Sequence, residues 1–437
     1  MESASQTMHD AIIIGGGPAG ATAACVLARA GKSVVVLEKE HFPRFHVGES
    51  LLPYNREIFE EIGVWDQIQA AGFMVKRGAQ FSAAGGMPRA RLVFAQGLFT
   101  EHPEAFQVER SVFDDILLRH ARASGADVRE GVTVTGHEVA DEAVVVRTSR
   151  EDGADDELRA RFLLDATGMA AFTGTREGIR RVYPQHRKVA VFGHFSGVEM
   201  PCREERGDIV LVLRERSWFW MIPLTDERAS VGLVLDLDEF SRLGRKPEAL
   251  FAEVVRTTPE LHRRMGRAQP ATPLHVITDY SFRMDCMVSP RLVRIGDAAG
   301  FMDPIFSSGV MLAMQTARDG ARCVIEALEK NQTLTTSMHR YECETRRTMD
   351  RFWAFIERYY TRHFTDLFLQ PSSFLHLTSG INAVLAGRTR LPWSVRWRIQ
   401  VFFFLVWLQK RVPVVPRIRW RNGAGGNYAP QTAQIPK

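Results

Sequence analysis

The sequence predicts a mixed α/β (α+β) fold: a Rossmann-like βαβ domain interleaved with an antiparallel-sheet domain, then a helical C-terminal region. Three observations carry this. A G-x-G-x-x-G run, Gly15 to Gly20, directly follows a short apolar stretch. A second Gly/Asp turn, Gly296-Asp297, follows another apolar stretch near residue 295. Between the two lie short segments with strand-like composition, and beyond residue 307 the pattern becomes helical.

In chain order, residues 10–14 read as a buried strand, 18–31 as a helix and 33–38 as a second strand. Helices are expected over 54–71 and 111–124, the latter placing Phe113, Leu117 and Leu118 on one face. Strands follow at 132–134, 144–148 and 158–165, with an acidic turn over 151–157. Further strands are expected at 188–195, 208–213, 218–223, 230–235 and 291–295, then helices over 307–330 and 335–363. The resulting division is a discontinuous dinucleotide-binding domain (1–75, 105–180 and 285–330), an antiparallel-sheet substrate domain (76–104 and 181–284) and a helical region with a basic aromatic tail (331–437).

With 437 residues, 45% hydrophobic and 24% charged, the chain has the composition of an ordinary globular protein and length for more than one domain. No stretch approaches the roughly 20 apolar residues of a membrane span, and residues 1–10 carry no secretion signal. The five cysteines are scattered and never paired as C-x-x-C, which suits a reducing compartment and no metal site. A cytoplasmic protein is expected. The net charge of +5 conceals an asymmetry: beyond Asp366 there are ten cations and no anion, so residues 1–366 carry −5. That pattern points to an anionic partner for the tail and not to a nucleic-acid-binding face.

The glycine run has a physical reading. Gly15 permits the tight turn, Gly17 lets the backbone approach a pyrophosphate, and Gly20 allows close packing of helix on strand. The amides of Gly16 and Ala19 are expected to face phosphate oxygens. Glu38, at the end of the second strand, stands where a carboxylate takes ribose hydroxyls. Asp297 suits either a cofactor contact or a helix N-cap. Trp218 and Trp220, two apart on a strand, share one face and form an aromatic wall, which is sheet core or a cofactor-side surface. Lys76, in K-R-G-A-Q-F after a helix and before a strand, is an ordinary solvated charge unless its context says otherwise.

Later segments supply that context. QVERSVFDDIL with Arg110, and RLVRIGDAAGFMDP with Asp297, resemble the FAD-binding fold shared by aromatic hydroxylases, geranylgeranyl reductases and halogenases. W-x-W-x-I-P at Trp218, Trp220, Ile222 and Pro223, and F-x-x-P-x-x-S-x-G at Phe301, Pro304, Ser307 and Gly309, resemble signatures of the flavin-dependent halogenases. The tryptophan-type enzymes carry a Glu before S-T-G. Here that position is Phe306, and the chain is similar to the shorter halogenases that act on phenols or pyrroles.

The resemblance implies FAD, supplied reduced by a separate flavin reductase since no second nucleotide fingerprint is present, together with O2 and chloride or bromide. It implies flavin contacts by Arg44, Glu49, Arg110, Asp297 and Val310, and a halide site at Ser308 and Gly309. Trp218, Trp220 and Pro304 become the flavin-side wall. Lys76 becomes the catalytic amine that holds hypohalous acid or forms a haloamine beside an electron-rich aromatic, free or tethered to an acyl or peptidyl carrier protein. An aromatic monooxygenase or reductase on the same fold, and a non-catalytic flavin-binding subunit, are the alternatives. The tail, including Arg417, Arg419 and Arg421, is expected to meet an acidic carrier. The apolar run 401–408 is expected to be buried against the body.

Overall fold

The computed structural model describes residues 7–278, 281–372 and 374–418. Strand Met8–Ile14 lies between Val34–Leu37 and Asp155–Asp165, parallel to both, and Leu292–Arg294 continues the parallel set. Val34–Leu37 and the segments 11–14 and 162–164 are buried on both faces, which is why they read as apolar runs. Val144–Arg150 and Val132–Val139 extend the sheet as an antiparallel meander.

A second sheet is antiparallel apart from one pairing. Lys188–Ser196, Arg228–Asp236, Ser217–Pro223 and Ile209–Leu213 pair in that order, and Ile209–Leu213 then runs parallel to Gly78–Ala83. Gly78–Ala83 is the strand expected after Lys76, whereas Arg89–Val93 and the small pair Met74–Lys76 with Ala105–Gln107 are absent from the sequence expectation. Their partners are remote in sequence or too short to show a period.

Two expected helices are broken. The 54–71 segment is Asn55–Ile62 and Trp65–Ala70, separated at Gly63, which adopts a left-handed conformation at φ 80°. The 335–363 segment is Thr336–Tyr359, capped by Thr335, followed by the short Arg362–Phe368.

The C-terminal helix Trp393–Arg411 corrects the expectation for 401–408. Phe402 and Val406 are buried, whereas Phe404 and Trp407 are 56% and 48% exposed. A helix lying on one side of a body buries one face only, whatever its composition. Arg411 lies over the Trp407 ring at 3.9 Å. Of the three tail arginines, Arg417 is exposed, and Arg419 and Arg421 lie outside the described residues. No described helix is long and apolar enough to cross a membrane.

One residue of the second sheet decides how its aromatic face packs. Gly232 sits directly across from both Trp220 and Phe192 on the neighbouring strands. A Cβ there would lie 2.2 Å from the Trp220 indole, so the ring occupies the space a side chain would need. Gly232→Ala should therefore lower stability by about 1–3 kcal/mol through overpacking. Urea unfolding of the FAD-loaded protein checks this, and an unchanged midpoint would show that the indole moves at no cost.

Candidate functional site

The parallel sheet places the glycine turn and Glu38 side by side at the carboxyl edge of adjacent strands. Gly15 has φ 102°, and a Cβ there would come within 2.5 Å of the Ala166 carbonyl oxygen. At Gly20 it would lie 1.8 Å from the Gly15 oxygen, so helix Pro18–Arg29 can approach only without a side chain. One expectation is corrected. The Gly16 amide donates to Glu38 Oε2 at 2.7 Å, and the Glu40 amide donates to Oε1 at 3.0 Å. The buried carboxylate takes the nearest loop amide, so Gly16 does not face an open anion position. Ala19 is buried in the helix. Gly17 remains open: a side chain there would meet only Arg44 Nη2, at 3.5 Å.

Two arginines converge on one buried carboxylate. Arg110 makes two bonds to Asp114, at 2.7 and 2.9 Å, and Arg44 reaches Asp114 Oδ2 at 3.1 Å. Burial works against the Arg110 charge, but Asp114 outweighs it and holds the guanidinium above its ordinary range. Asp114 was not singled out from the sequence, although its i,i+4 spacing from Arg110 is the pattern of a helical ion pair. Asp297 lies in the first turn of Gly296–Ala299 and not at its N-cap, which is Ile295. Burial pushes its carboxyl up to about 7, partly offset by Arg110.

Lys76 is no solvated charge. Its amine is buried and donates to Ser50 Oγ at 2.8 Å and to the Leu51 carbonyl at 2.9 Å. Burial lowers its pKa to about 7, against the pull of Asp208. The adjoining Glu49 is 1% exposed and joins His194 Nε2 at 2.6 Å. Its second oxygen has no hydrogen-bond partner. His194 also meets the Phe45 ring edge-on, and Phe45 stacks on His275. A single histidine in a strand gives no sequence signal, and His194 was missed.

The second glycine turn and the segment 301–309 border a small cleft lined by Gly296, Asp297, Gly300, Phe301, Ser308 and Gly309. Ser307 takes a left-handed φ of 56°, turning the chain into the 21-residue helix Gly309–Glu329. Ser308 is the N-cap, yet its hydroxyl makes no capping bond. Val310, in the first turn, is buried. Pro304 opens a short 3-10 turn whose N-cap, Asp303, accepts the Ile305 amide at 3.1 Å and the Tyr360 hydroxyl at 2.7 Å. Phe306 packs edge-on against Phe355 and Tyr359, so no carboxylate occupies that place.

Trp218 and Trp220 are both buried, with ring centres 5.9 Å apart. Their indole N–H groups donate to Tyr360 Oη at 2.9 Å and Ser230 Oγ at 3.2 Å. They belong to the same hydrophobic cluster as Met302, Ile305 and Phe306.

The residues fit a flavin dinucleotide. The groups that suit it are the side-chain-free surface at Gly17 with Arg44 beside it, Asp297 in the lining of the cleft, and the Glu49 oxygen that has no partner among the described residues. Comparison with known proteins agrees. The FAD binding domain family matches residues 8–354. A 1H-pyrrole-2-carbonyl-(peptidyl-carrier protein) chlorinase of Pseudomonas fluorescens is 34% identical over 374 residues, 80% of this chain and 83% of that protein. The corresponding brominase of Pseudoalteromonas luteoviolacea is 31% identical over 75% of this chain and 80% of its own length. Among solved structures, the flavin-dependent brominase Bmp2 superposes with a TM-score of 0.82 at 26% identity, covering 93% of this chain and all of that one (100%). A flavoprotein/dehydrogenase from Cytophaga hutchinsonii superposes at 0.85, also 26% identical, over 92% and 99%. The fold is thus shared beyond one chemistry, but the family match and the curated relatives agree in kind, and this chain belongs to the flavin-dependent halogenases.

Proposed function

We propose that this halogenase chlorinates or brominates a pyrrole or similar electron-rich ring presented on a carrier protein, with Lys76 delivering the halogen. The observation that carries the proposal is the Lys76 amine, buried, held on Ser50 and Leu51, and lowered to about 7. The substrate class is supported by the chlorinase and brominase relatives, whose names specify a pyrrole on a peptidyl carrier protein.

FAD would be held by Gly15, Gly17, Gly20, Glu38, Arg44, Glu49, Arg110, Asp297 and Val310. Bound and reduced by a separate reductase, it supplies the two electrons by which O2 becomes an oxidant for halide. The halide rests on the amides of Ser308 and Gly309, at the positive end of a long helix. Asp297 is the only carboxylate lining this cleft among the described residues, and its raised pKa reduces the repulsion an anion meets there. Hypohalous acid released from this position diffuses freely, so selectivity needs a group that captures it. A neutral amine does so, either by hydrogen bonding or by exchanging N–H for N–halogen with release of water. Trp218, Trp220 and Pro304 form the wall on the flavin side.

Lys76→Ala is expected to abolish halogenated product while reduced FAD is still bound and reoxidised in the presence of halide. Mass spectrometry of product alongside flavin absorbance reads both, and near-normal product would remove Lys76 from the chemistry. Ser308→Asp is expected to raise the halide concentration for half-maximal rate at least tenfold with little change in FAD affinity, since an added anion in a low-dielectric cleft repels halide. An unchanged halide dependence would place the anion elsewhere.

The depressed amine pKa also has a stability consequence. Between about pH 7 and pH 10 the unfolded chain binds the Lys76 proton and the folded one does not, so folding is favoured as pH rises. Below about pH 7 both states are protonated and burial of the ammonium opposes folding fully. Lys76→Met should thus stabilise relative to wild type most at pH 6, with the advantage shrinking toward pH 10. Denaturant unfolding at both values would show a pH-independent difference if the amine were freely solvated.

A further inference from the structure

Glu49 and His194 form a buried pair that spans two sheets and that no step above uses. Glu49 Oε1 and His194 Nε2 lie 2.6 Å apart. A carboxylate only accepts, so Nε2 carries the hydrogen and donates it. Glu49 Oε2 is buried and has no hydrogen-bond partner among the described residues. A carboxylate oxygen kept from water without a donor is costly, so the place beside it suits a ligand N–H. The neighbouring cations do not fill that place. Arg110 directs its donors to Asp114 and to the Val47 and Gly48 carbonyls. Lys76 directs its own to Ser50 and Leu51.

The fold fixes the histidine more firmly than the carboxylate it holds. The His194 N–H donates to Thr272 Oγ1 at 2.9 Å, and its carbonyl accepts the Ala271 amide at 2.8 Å. Phe45 meets the imidazole edge-on, with ring centres 5.6 Å apart. His194 lies two residues beyond Phe192 on the strand Lys188–Ser196, so the two side chains share one face. Phe192 in turn stands 5.7 Å from Trp220. Ser230, directly across from His194, accepts the Trp220 indole N–H. The sheet face that bears the aromatic wall therefore also bears the grip on Glu49.

We infer that His194 is a positioning residue for the flavin: it occupies Glu49 Oε1 so that Oε2 is presented to the N–H on the pyrimidine edge of the isoalloxazine. The terminal torsion of a glutamate is soft, and one fixed imidazole bond leaves the second oxygen a single orientation. The inference rests on the reading of Glu49 as a flavin contact and adds to it the residue that aims it.

Fluorescence of FAD released on dilution of the FAD-loaded protein measures the effect without turnover, in variants that differ in reach. Gln places its amide where the imidazole Nε2 lies, whereas Asn is too short to meet Glu49. His194→Gln is expected to hold FAD within about threefold of wild type, and His194→Asn about tenfold more weakly, the worth of one hydrogen bond to a charged group. The visible absorbance of FAD bound to His194→Asn should shift toward that of Glu49→Ala. With Glu49→Ala already present, the two His194 variants should hold FAD equally, because the loss runs through the carboxylate. Equal affinities of His194→Gln and His194→Asn with Glu49 in place, or a difference that persists without it, would overturn the inference. Glu49→Ala alone tests the reading beneath it. Wild-type FAD affinity there would remove Glu49 from the flavin, and both ideas with it. A loss in Glu49→Ala with none in His194→Asn would refute the role of His194 only.

Discussion

Two buried cations hold the segment 47–51 from opposite sides, and the site is arranged around that grip. Arg110 donates to the Val47 and Gly48 carbonyls at 2.5 and 3.4 Å, and Lys76 donates to Ser50 Oγ and the Leu51 carbonyl. The segment is tied to the chain before Arg110 as well, through Val108 N to Glu49 O at 2.7 Å and Leu51 N to Phe106 O at 2.9 Å. From its middle, Glu49 crosses to His194 on the antiparallel sheet. One short strap thus joins the parallel sheet's helix, the lysine strand and the second sheet. A buried cation left without acceptors is strongly destabilising, so the carbonyls that position the strap are also what make a buried lysine tolerable.

The same economy explains the remaining charges. Asp114 is fully buried and serves Arg44 and Arg110 together, which holds Arg44 beside the open backbone at Gly17 and Arg110 against Gly48. Asp297 faces the other way, toward the cleft at Ser308 and Gly309. The cleft loop thus carries a carboxyl raised to about 7, and the strap holds an amine lowered to about 7.

The parts of this arrangement visible in the sequence are those set by local constraints. Gly15 and Gly20 announce themselves because no side chain fits, whereas Ser308 and Gly309 were visible through the resemblance of F-x-x-P-x-x-S-x-G and the helix expected from Ser307. Asp114 was legible in principle from its spacing to Arg110. His194 and Gly232 were not, since each matters only through a residue across the sheet, and register is invisible without the partner strand. The strand Gly78–Ala83 was expected after Lys76, but its parallel pairing with Ile209–Leu213 was hidden for the same reason. The helix Trp393–Arg411 failed differently: its run of apolar residues suggested full burial, and the fold buries one side while Phe404 and Trp407 stand in solvent.

The central claim is that this chain places halogen on a carrier-held aromatic ring. Intact-mass analysis of an acidic carrier loaded with pyrrole-2-carboxylate, after incubation with the protein, FAD, a flavin reductase and O2, addresses it directly. The account predicts a halogenated carrier that appears with chloride or bromide and is absent when halide is withheld. A hydroxylated carrier, or one left unmodified in halide while the free ring is halogenated, would contradict it.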